Sequence, residues 1–376
     1  MSIVTDPVPN SNPIAVGIDT HAEVHVAAVI DHVGRELGDR GFATTPAGYR
    51  ELQAWVEAFG TPTVIGIEGT GSYGAGVARH LAGGDAAIVE VDRPDRKARR
   101  LEGKSDARDA YAAARAALSG RATGIPKSRD GNVEMIRVLR VARSSAVKAR
   151  AAAIIQLKAI IQTAPDPLRD ELRTITGKAL ITRCARLRPN REPAPARQRY
   201  AKRAPGPGRL DDVTAATKCA LSHLARRIQE LSDEIDELDH DLAQLVTETA
   251  PTLVAETGIG VDCAGQLLTT IGDNPDRIHS SAAFAHLCGV APIPATSGKQ
   301  QDRYRLNRGG DRQANRALHT IAINRIRHDP QTRLYRDRLI ARGKTKRDAI
   351  RIIKRAIARL VYQALRTDLA ITTKTS

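Results

Sequence analysis

Two aspartates, Asp106 and Asp109, combine a residue type and a spacing that suggest chemistry. They lie in an Ala-rich run from Lys104 to about Leu118 that contains neither Pro nor Gly, which predicts a helix. Residues three positions apart share one face of a helix, so the two carboxylates should be neighbours. Because neighbouring anions repel each other and alanines solvate them poorly, a bound divalent cation would relieve an unfavourable arrangement.

Two further acids end apolar runs that should be buried strands. Asp19 ends the run IAVGID, and Glu68 ends the run VIGIE. An acid at the end of a buried strand lies at the edge of the sheet, where open α/β sheets place their functional sites. The four carboxylates of Asp19, Glu68, Asp106 and Asp109 would together hold two Mg²⁺ ions.

The elements around these acids predict an α/β domain. In chain order they are strands over 14–19, 24–30 and 35–42, a helix over 46–59, a strand over 63–68, a helix over 74–81, a strand over 87–91 and the helix that carries Asp106 and Asp109. Three antiparallel strands followed by β-α-β-α is the element order of a ribonuclease-H-like domain.

Composition divides the whole chain into six predicted segments. They are a flexible tail over 1–13, the α/β domain over 14–122, a basic helical segment over 123–182, a linker rich in Pro and Arg over 183–210, a coiled coil over 211–249 and a mainly α-helical C-terminal domain over 250–376. The C-terminal domain opens with Thr257-Gly258-Ile259-Gly260, which resembles the turn of a helix-hairpin-helix that binds a DNA phosphate.

The charge of the chain predicts a polyanionic partner. The formal net charge is +16, and residues 297–366 hold 20 basic against 5 acidic residues. Aromatic residues make up 3% of the chain, so contacts from Arg to phosphate are a stronger expectation than stacking on single-stranded bases. Arginines and lysines also alternate with apolar residues over 133–162, which indicates either a solvated basic face or a nucleic-acid contact.

Cysteines and hydropathy favour a soluble protein of the cytoplasm. The four cysteines are scattered without a CxxC pair, which suits a reducing compartment and provides no zinc site. The first 13 residues do not resemble a signal sequence, and no apolar run approaches the length of a membrane span, so no membrane partner is expected.

An unbroken apolar seam runs through the predicted coiled coil. Its members recur at alternating spacings of three and four residues: Leu221, Leu224, Ile228, Leu231, Ile235, Leu238, Leu242 and Leu245. This heptad pattern favours a coiled coil that joins two or more copies of the chain as a dimer or tetramer. The alternative is one arm of an antiparallel helical pair within the chain.

Two nucleotide-binding interpretations compete for the α/β domain. Gly69-Thr70-Gly71-Ser72-Tyr73-Gly74 matches the dinucleotide pattern G-x-G-x-x-G, but the charge of Glu68 beside it would oppose a pyrophosphate. Sugar-kinase and actin-like ATPases need glycine after their first strand, where this chain has Thr20 and His21. His21, like His25, either supports the acidic site or is an ordinary half-exposed strand residue.

Taken in order, several motifs resemble the DEDD-type insertion-sequence transposases and their Piv-type DNA invertase relatives. The matching motifs are Gly17-Ile18-Asp19, Ile67-Glu68-Gly69-Thr70-Gly71, Lys104-Ser105-Asp106-Ala107-Arg108-Asp109, Ser297-Gly298 and Asn307-Arg308-Gly309-Gly310-Asp311-Arg312. The resemblance covers nearly the whole chain. It implies a RuvC-like domain that binds metal at the four acids.

The resemblance further implies a second domain in which a serine, matching Ser297, attacks DNA and forms a phosphoserine link. It also implies a structured RNA, encoded by the element, that selects donor and target DNA. Thr296 departs from the family, which often has another Ser or an aromatic residue at that position. Without the resemblance, Ser297 would be an ordinary loop serine.

The sequence thus predicts a recombinase that moves its own element by cutting and joining DNA. One alternative is a structure-specific endonuclease of the same fold that uses water and metal without a serine adduct. Another is a basic nucleic-acid-binding protein without activity. The four acids argue against the last, because a pure binder of polyanions gains nothing from a clustered negative site.

Overall fold

The computed structural model describes residues 12–91, 105–190, 210–296, 304–307 and 309–372. Most of the predicted tail over 1–13, most of the linker over 183–210, and Ser297 therefore lie outside the described residues.

A five-stranded mixed sheet forms the centre of the N-terminal part. Its strands are β1 (Pro13–Asp19), β2 (Val24–Asp31), β3 (Glu36–Ala43), β4 (Thr61–Glu68) and β5 (Ala87–Val91). They lie in the order β3-β2-β1-β4-β5. The first three strands pair antiparallel, whereas β4 is parallel to β1 and β5 is parallel to β4. The predicted order of strands and helices is confirmed.

Among the described residues of this domain, three helices cover the two faces of the sheet. They are α1 (Pro46–Glu57), α2 (Ala75–Leu81) and α3 (Asp106–Leu118). The Thr45 side chain caps α1 by accepting a hydrogen bond from the Gly48 N–H at 3.1 Å. The helix ends at Glu57 rather than at the predicted Phe59. Apolar residues of α1 and α2 pack on one face of the sheet, and those of α3 pack on the other.

Side-chain alternation along β1 assigns its residues to these two faces. Ile14, Val16 and Ile18 belong to the core beneath α1 and α2, so Gly17 and Asp19 face α3. The same alternation holds in β4, where Ile65 and Ile67 join that core. Gly66 and Glu68 consequently face α3 as well.

Two glycines allow α3 to approach the sheet very closely. Gly17 and Gly66 are paired across β1 and β4. A Cβ atom at Gly17 would lie 2.0 Å from the carbonyl oxygen of Ala110, and one at Gly66 would lie 2.7 Å from that of Ala113. The backbone of α3 therefore rests directly on the two central strands, and any side chain at Gly17 would force them apart.

A separate helical unit comprises Met135–Val254 and Gly260–Gly265. It contains most of α4 (Asn132–Gln162), together with α5 (Asp166–Leu172), α6 (Gly177–Ala185) and α7 (Val213–Thr249). Arg143 of α4 pairs with Asp239 of α7, and Arg150 donates to Ser232 at 3.3 Å. Since the order is reversed between the two helices, α4 and α7 run antiparallel.

Part of the predicted basic face of α4 is engaged within this unit. Arg143 and Arg150 contact α7, and Arg140 pairs with Asp262 at 2.8 Å. Lys148 and Lys158 are exposed. The alternation of basic and apolar residues over 133–162 therefore encodes contacts between helices as well as a charged surface.

The heptad seam of α7 divides into two halves. Leu221, Ile228, Ile235 and Leu242 are at most 3% exposed and belong to the interior of the chain. Leu224, Leu231, Leu238 and Leu245 are half-buried. The intramolecular alternative thus accounts for one half of the seam. Association through the other half stays a prediction.

The C-terminal part is mainly helical, as predicted. Its elements are α8 (Pro251–Ala255), α9 (Val261–Ile271), a 3₁₀ turn (Pro275–Arg277), α10 (Ser281–Leu287), the strands β6 (Pro292–Pro294) and β7 (Tyr304–Leu306), α11 (Arg312–His328), α12 (Pro330–Ala341) and α13 (Lys346–Thr372). Phe284, Leu318 and Ile353 lie in its interior. None of the helices among the described residues is both long and apolar enough to cross a membrane.

Most of this C-terminal part belongs to the same compact unit as the sheet, which comprises Met1–Glu134, Ala255–Ile259 and Gln266–Ser376. Hydrogen bonds tie the two parts together. The Lys127 ammonium donates to the Thr269 carbonyl at 2.6 Å, and the Asn274 amide donates to the Pro126 carbonyl at 2.8 Å. Burial lowers the pKa of Lys127 to about 8, with the positive charges of Arg277 and Arg129 adding to the effect.

Replacing Gly17 by Ala should destabilise the sheet domain by about 2–3 kcal/mol, because the new methyl group would overlap backbone atoms of α3. Urea unfolding can be followed through Trp55, the single tryptophan of the chain, which packs beside the core of this domain. Gly83→Ala is the matched control, because nothing lies within 4 Å of its added Cβ. Equal unfolding midpoints for the two variants would contradict the close approach of α3.

Candidate active site

The carboxyl ends of β1 and β4 place two acids side by side. Asp19 is the last residue of β1 and Glu68 is the last residue of β4. The strands are parallel and Ile18 is paired with Ile67, so the next residues, Asp19 and Glu68, are neighbours at the same edge of the sheet. The Thr20 hydroxyl donates to the Glu68 carbonyl at 3.0 Å, which ties the two strand ends together.

The start of α3 brings the other two acids to this edge. Because Ala110 contacts Gly17, the first turn of α3 lies beyond it, toward the end of β1. Asp106 and Asp109 both belong to that first turn. The Asp109 residue is 5% exposed, whereas 48% of the Asp106 side chain is accessible to solvent.

A histidine lies between two of these carboxylates. The Nε2 atom of His21 is 3.1 Å from Oδ2 of Asp19 and 3.5 Å from Oδ1 of Asp106. One ligand atom from each of these three residues lies within 4.8 Å of the others, which makes them a candidate metal-binding group among the described residues. Glu68 and Asp109 flank this group without belonging to it.

A second histidine supports the first. The backbone N–H of His21 donates to Nδ1 of His25 at 3.3 Å. His25 is completely buried, and its ring stacks on Tyr49 with the centroids 5.9 Å apart. Burial, together with the nearby His21, lowers the pKa of His25 to about 4, so this ring is neutral at neutral pH.

The surroundings of Asp19 act on its pKa in two opposite directions. Burial raises the pKa of Asp19 above its usual value, and the nearby Asp109 and Asp106 add to that effect. His21 acts in the opposite direction through its charge and its hydrogen bond. A cation that approached Asp19 would therefore be stabilised by several negative groups and would favour the ionised carboxylate.

The glycine-rich segment after β4 forms a turn that is held by hydrogen bonds to other parts of the chain. Gly69 has φ +61°, a conformation that suits glycine. The Thr70 hydroxyl donates to Oε1 of Glu90 at 2.6 Å, and the Arg129 guanidinium donates to the Gly71 carbonyl at 2.8 Å. Glu90 of β5 thus contacts the turn through Thr70.

The segment that carries Ser297 connects β6 and β7, and Ser297 itself lies outside the described residues. The two strands pair antiparallel, with Pro294 opposite Tyr304. Beyond β7, the Asn307 amide donates to the His286 carbonyl at 2.8 Å, and the Asp311 side chain caps α11. Asn307 and Asp311 of the motif over 307–312 therefore have structural roles in the C-terminal part.

Comparisons with known proteins match both parts of the chain. The family model of the DEDD transposases of IS110 matches residues 16–164, which include all four acids. The model described as the transposase IS116/IS110/IS902 family matches residues 251–336. The chain is therefore an enzyme of the transposase class, whose members cut and rejoin DNA. Both matches are to insertion-sequence transposases of the IS110 type, and together they cover residues 16–164 and 251–336 of this chain.

Two proteins of insertion elements are similar to this chain, one over less than half of it and the other over nearly all of it. A 43.6 kDa protein of insertion element IS110 from Streptomyces coelicolor is 32% identical over 43% of this chain, and the aligned part spans 38% of that relative. A 42 kDa protein of insertion element IS900 from Mycobacterium paratuberculosis is 25% identical over 95% of this chain and 96% of its own length.

Proposed function

We propose that this transposase moves its own insertion sequence through a divalent-metal site built from Asp19, Glu68, Asp106 and Asp109. The observation that carries the proposal is the placement of all four acids at one sheet edge, with Asp19 and Asp106 in a group of ligand atoms within 4.8 Å. The strand order, with three antiparallel strands followed by two parallel ones, supports a RuvC-like domain.

The donor atoms suit the metal that we propose. Carboxylate oxygens are the ligands that Mg²⁺ prefers, and the burial of Asp19 beside other acids favours a cation there. A bound pair of Mg²⁺ ions would stabilise the attacking and the leaving oxygens of a phosphoryl transfer.

The four acids would have different roles at that site, because they differ in position and exposure. Asp19 and Glu68 are held by rigid strands, and the bond from Thr20 to the Glu68 carbonyl fixes their spacing. Asp109 is buried and provides a fixed charge, whereas the half-exposed Asp106 lies on the side open to a substrate. Both aspartates also benefit from the positive end of the α3 dipole.

Ser297 is our candidate for the nucleophile that makes the transposase a recombinase. In this step the serine oxygen bonds to phosphorus, the bond from phosphorus to the leaving sugar oxygen breaks, and the serine proton passes to a general base. Attack by a DNA hydroxyl on the phosphoserine would reverse the exchange and rejoin a strand. The resemblance of Ser297-Gly298 to the family's serine motif supports this assignment.

A structured RNA encoded by the element is the second nucleic acid that we propose as a partner. The charge of the C-terminal part supports such a partner, because Arg347, Arg351 and Arg359 of α13 are exposed. The helical unit has exposed basic residues of its own, Lys148 and Lys158 of α4.

A second candidate function is a metal-dependent endonuclease in which water replaces the serine. The acidic site favours it equally, because its geometry does not depend on Ser297. The two functions differ in whether a covalent bond forms between protein and DNA.

Asp106→Asn should reduce DNA strand cleavage at least about 100-fold, because it removes a charge that neutralises the metal without removing volume. Cleavage of a duplex that carries the element end, together with the proposed RNA, provides the measurement. The exposed Asp85→Asn in the same domain is the matched control. Full cleavage by the Asp106 variant, with an unchanged melting temperature, would rule out the proposed site.

Ser297→Ala should abolish covalent attachment to DNA and all strand joining while metal binding persists, because the hydroxyl is the only group removed. Labelled DNA that stays with the protein on a denaturing gel reports the adduct. Thr296→Ala is the matched control, since Thr296 is the adjacent hydroxyl. An adduct that persists without Ser297 would exclude this nucleophile. Cleavage by the wild-type chain without any adduct would favour the endonuclease.

The half-buried side of the α7 seam is our candidate for the surface that joins protomers. Replacing Leu231 and Leu238 by Lys should dissociate the oligomer, because it buries two like charges between paired helices. Light scattering gives the mass of the assembly. Gln244→Lys with Thr247→Lys adds the same charges at exposed positions of α7. An unchanged mass for the Leu variant would show that the seam does not assemble the protein.

A further inference from the structure

The proposed site of four carboxylates does not include His21, yet this histidine contacts both Asp19 and Asp106. We propose that His21 is a third protein ligand of the ion held by Asp19 and Asp106, so that the site binds through nitrogen as well as oxygen. The inference rests on the proposed metal site and specifies its donor set.

The distances fit ligands of one ion. Ligand atoms about 2.1 Å from a metal lie about 3 Å apart when they are adjacent in an octahedron and about 4.2 Å apart when they are opposite. The His21 Nε2 atom is 3.1 Å from Asp19 and 3.5 Å from Asp106, as adjacent ligands would be to within about 0.5 Å. All three ligand atoms lie within 4.8 Å of one another, so small side-chain rotations would bring them to three positions around one ion.

The surroundings of His21 hold it near this position. Its backbone N–H is fixed by Nδ1 of His25, whose buried ring stacks on Tyr49. The His21 side chain is 41% exposed, which leaves the ring room to adjust around an ion. Coordination through Nε2 requires the tautomer that carries its hydrogen on Nδ1.

The alternative is that His21 only donates a hydrogen bond to Asp19 and turns away when an ion binds. The two possibilities differ in their metal preference. Imidazole nitrogen binds Mn²⁺ better than it binds Mg²⁺, which prefers oxygen. A ligand role therefore predicts that loss of His21 weakens Mn²⁺ binding more than Mg²⁺ binding, whereas a hydrogen-bonding role predicts no such difference.

Electron spin-echo measurements on Mn²⁺ bound to the full chain test the proposal directly. We expect modulation from a directly coordinated ¹⁴N nucleus, and we expect its loss when the wild-type chain is made with ¹⁵N-labelled histidine. His21→Gln should abolish the modulation and weaken Mn²⁺ binding about 10-fold or more, whereas His32→Gln, at an exposed turn position, should change neither. The isotope experiment detects a histidine ligand in the unsubstituted chain, and the His21→Gln variant assigns that ligand to His21.

Each outcome separates this inference from the proposed function. Mn²⁺ that binds without nitrogen modulation, or with modulation that survives in His21→Gln, overturns the ligand role. The carboxylate site stands in that case if Asp106→Asn weakens Mn²⁺ binding, and it is overturned as well if Asp106→Asn does not. Failure of the wild-type chain to bind Mn²⁺ or Mg²⁺ at millimolar concentration would overturn both the ligand role and the proposed metal site.

Discussion

The close approach of α3 to β1 and β4 is the constraint on which the acidic site depends. A helix packed through ordinary side chains would stand farther from the sheet, and the acids of its first turn would not reach the strand ends. Gly17 and Gly66 remove the Cβ atoms that would hold the helix away, while Ala110 and its neighbours keep the helix surface flat. The small Ala and Gly residues between α3 and the sheet are therefore required to bring the four acids together.

Much of this arrangement could be predicted from the sequence, because strand alternation and helical spacing are local patterns. They correctly placed Asp19 and Glu68 at strand ends and Asp106 and Asp109 on one face of α3. The position of His21 could not be predicted in the same way. It lies in the turn after β1, where the direction of its side chain depends on contacts with His25, Asp19 and Asp106 that no periodicity encodes.

The helical unit shows a second limit of pattern-based prediction. A heptad seam specifies an apolar stripe but does not specify what covers it. In α7 the chain itself buries Leu221 and Ile228, and Arg143 of α4 pairs with Asp239 of the same helix. A basic stretch is equally ambiguous, because an arginine directed at a phosphate and one directed at a neighbouring helix look alike in sequence.

The electrostatics of the acidic site favour a metal-using enzyme over a passive binder of nucleic acid. Asp19 and Asp109 are both 5% exposed. Burial raises the pKa of Asp19, and the nearby Asp109 and Asp106 add to that effect, so the ionised form of Asp19 is disfavoured. Such an arrangement lowers the stability of the fold and would also repel a DNA backbone. A divalent cation changes both effects at once, because it neutralises the acids and offers the phosphate a positive charge. A bound cation would therefore offset the cost of clustering these acids at the start of α3.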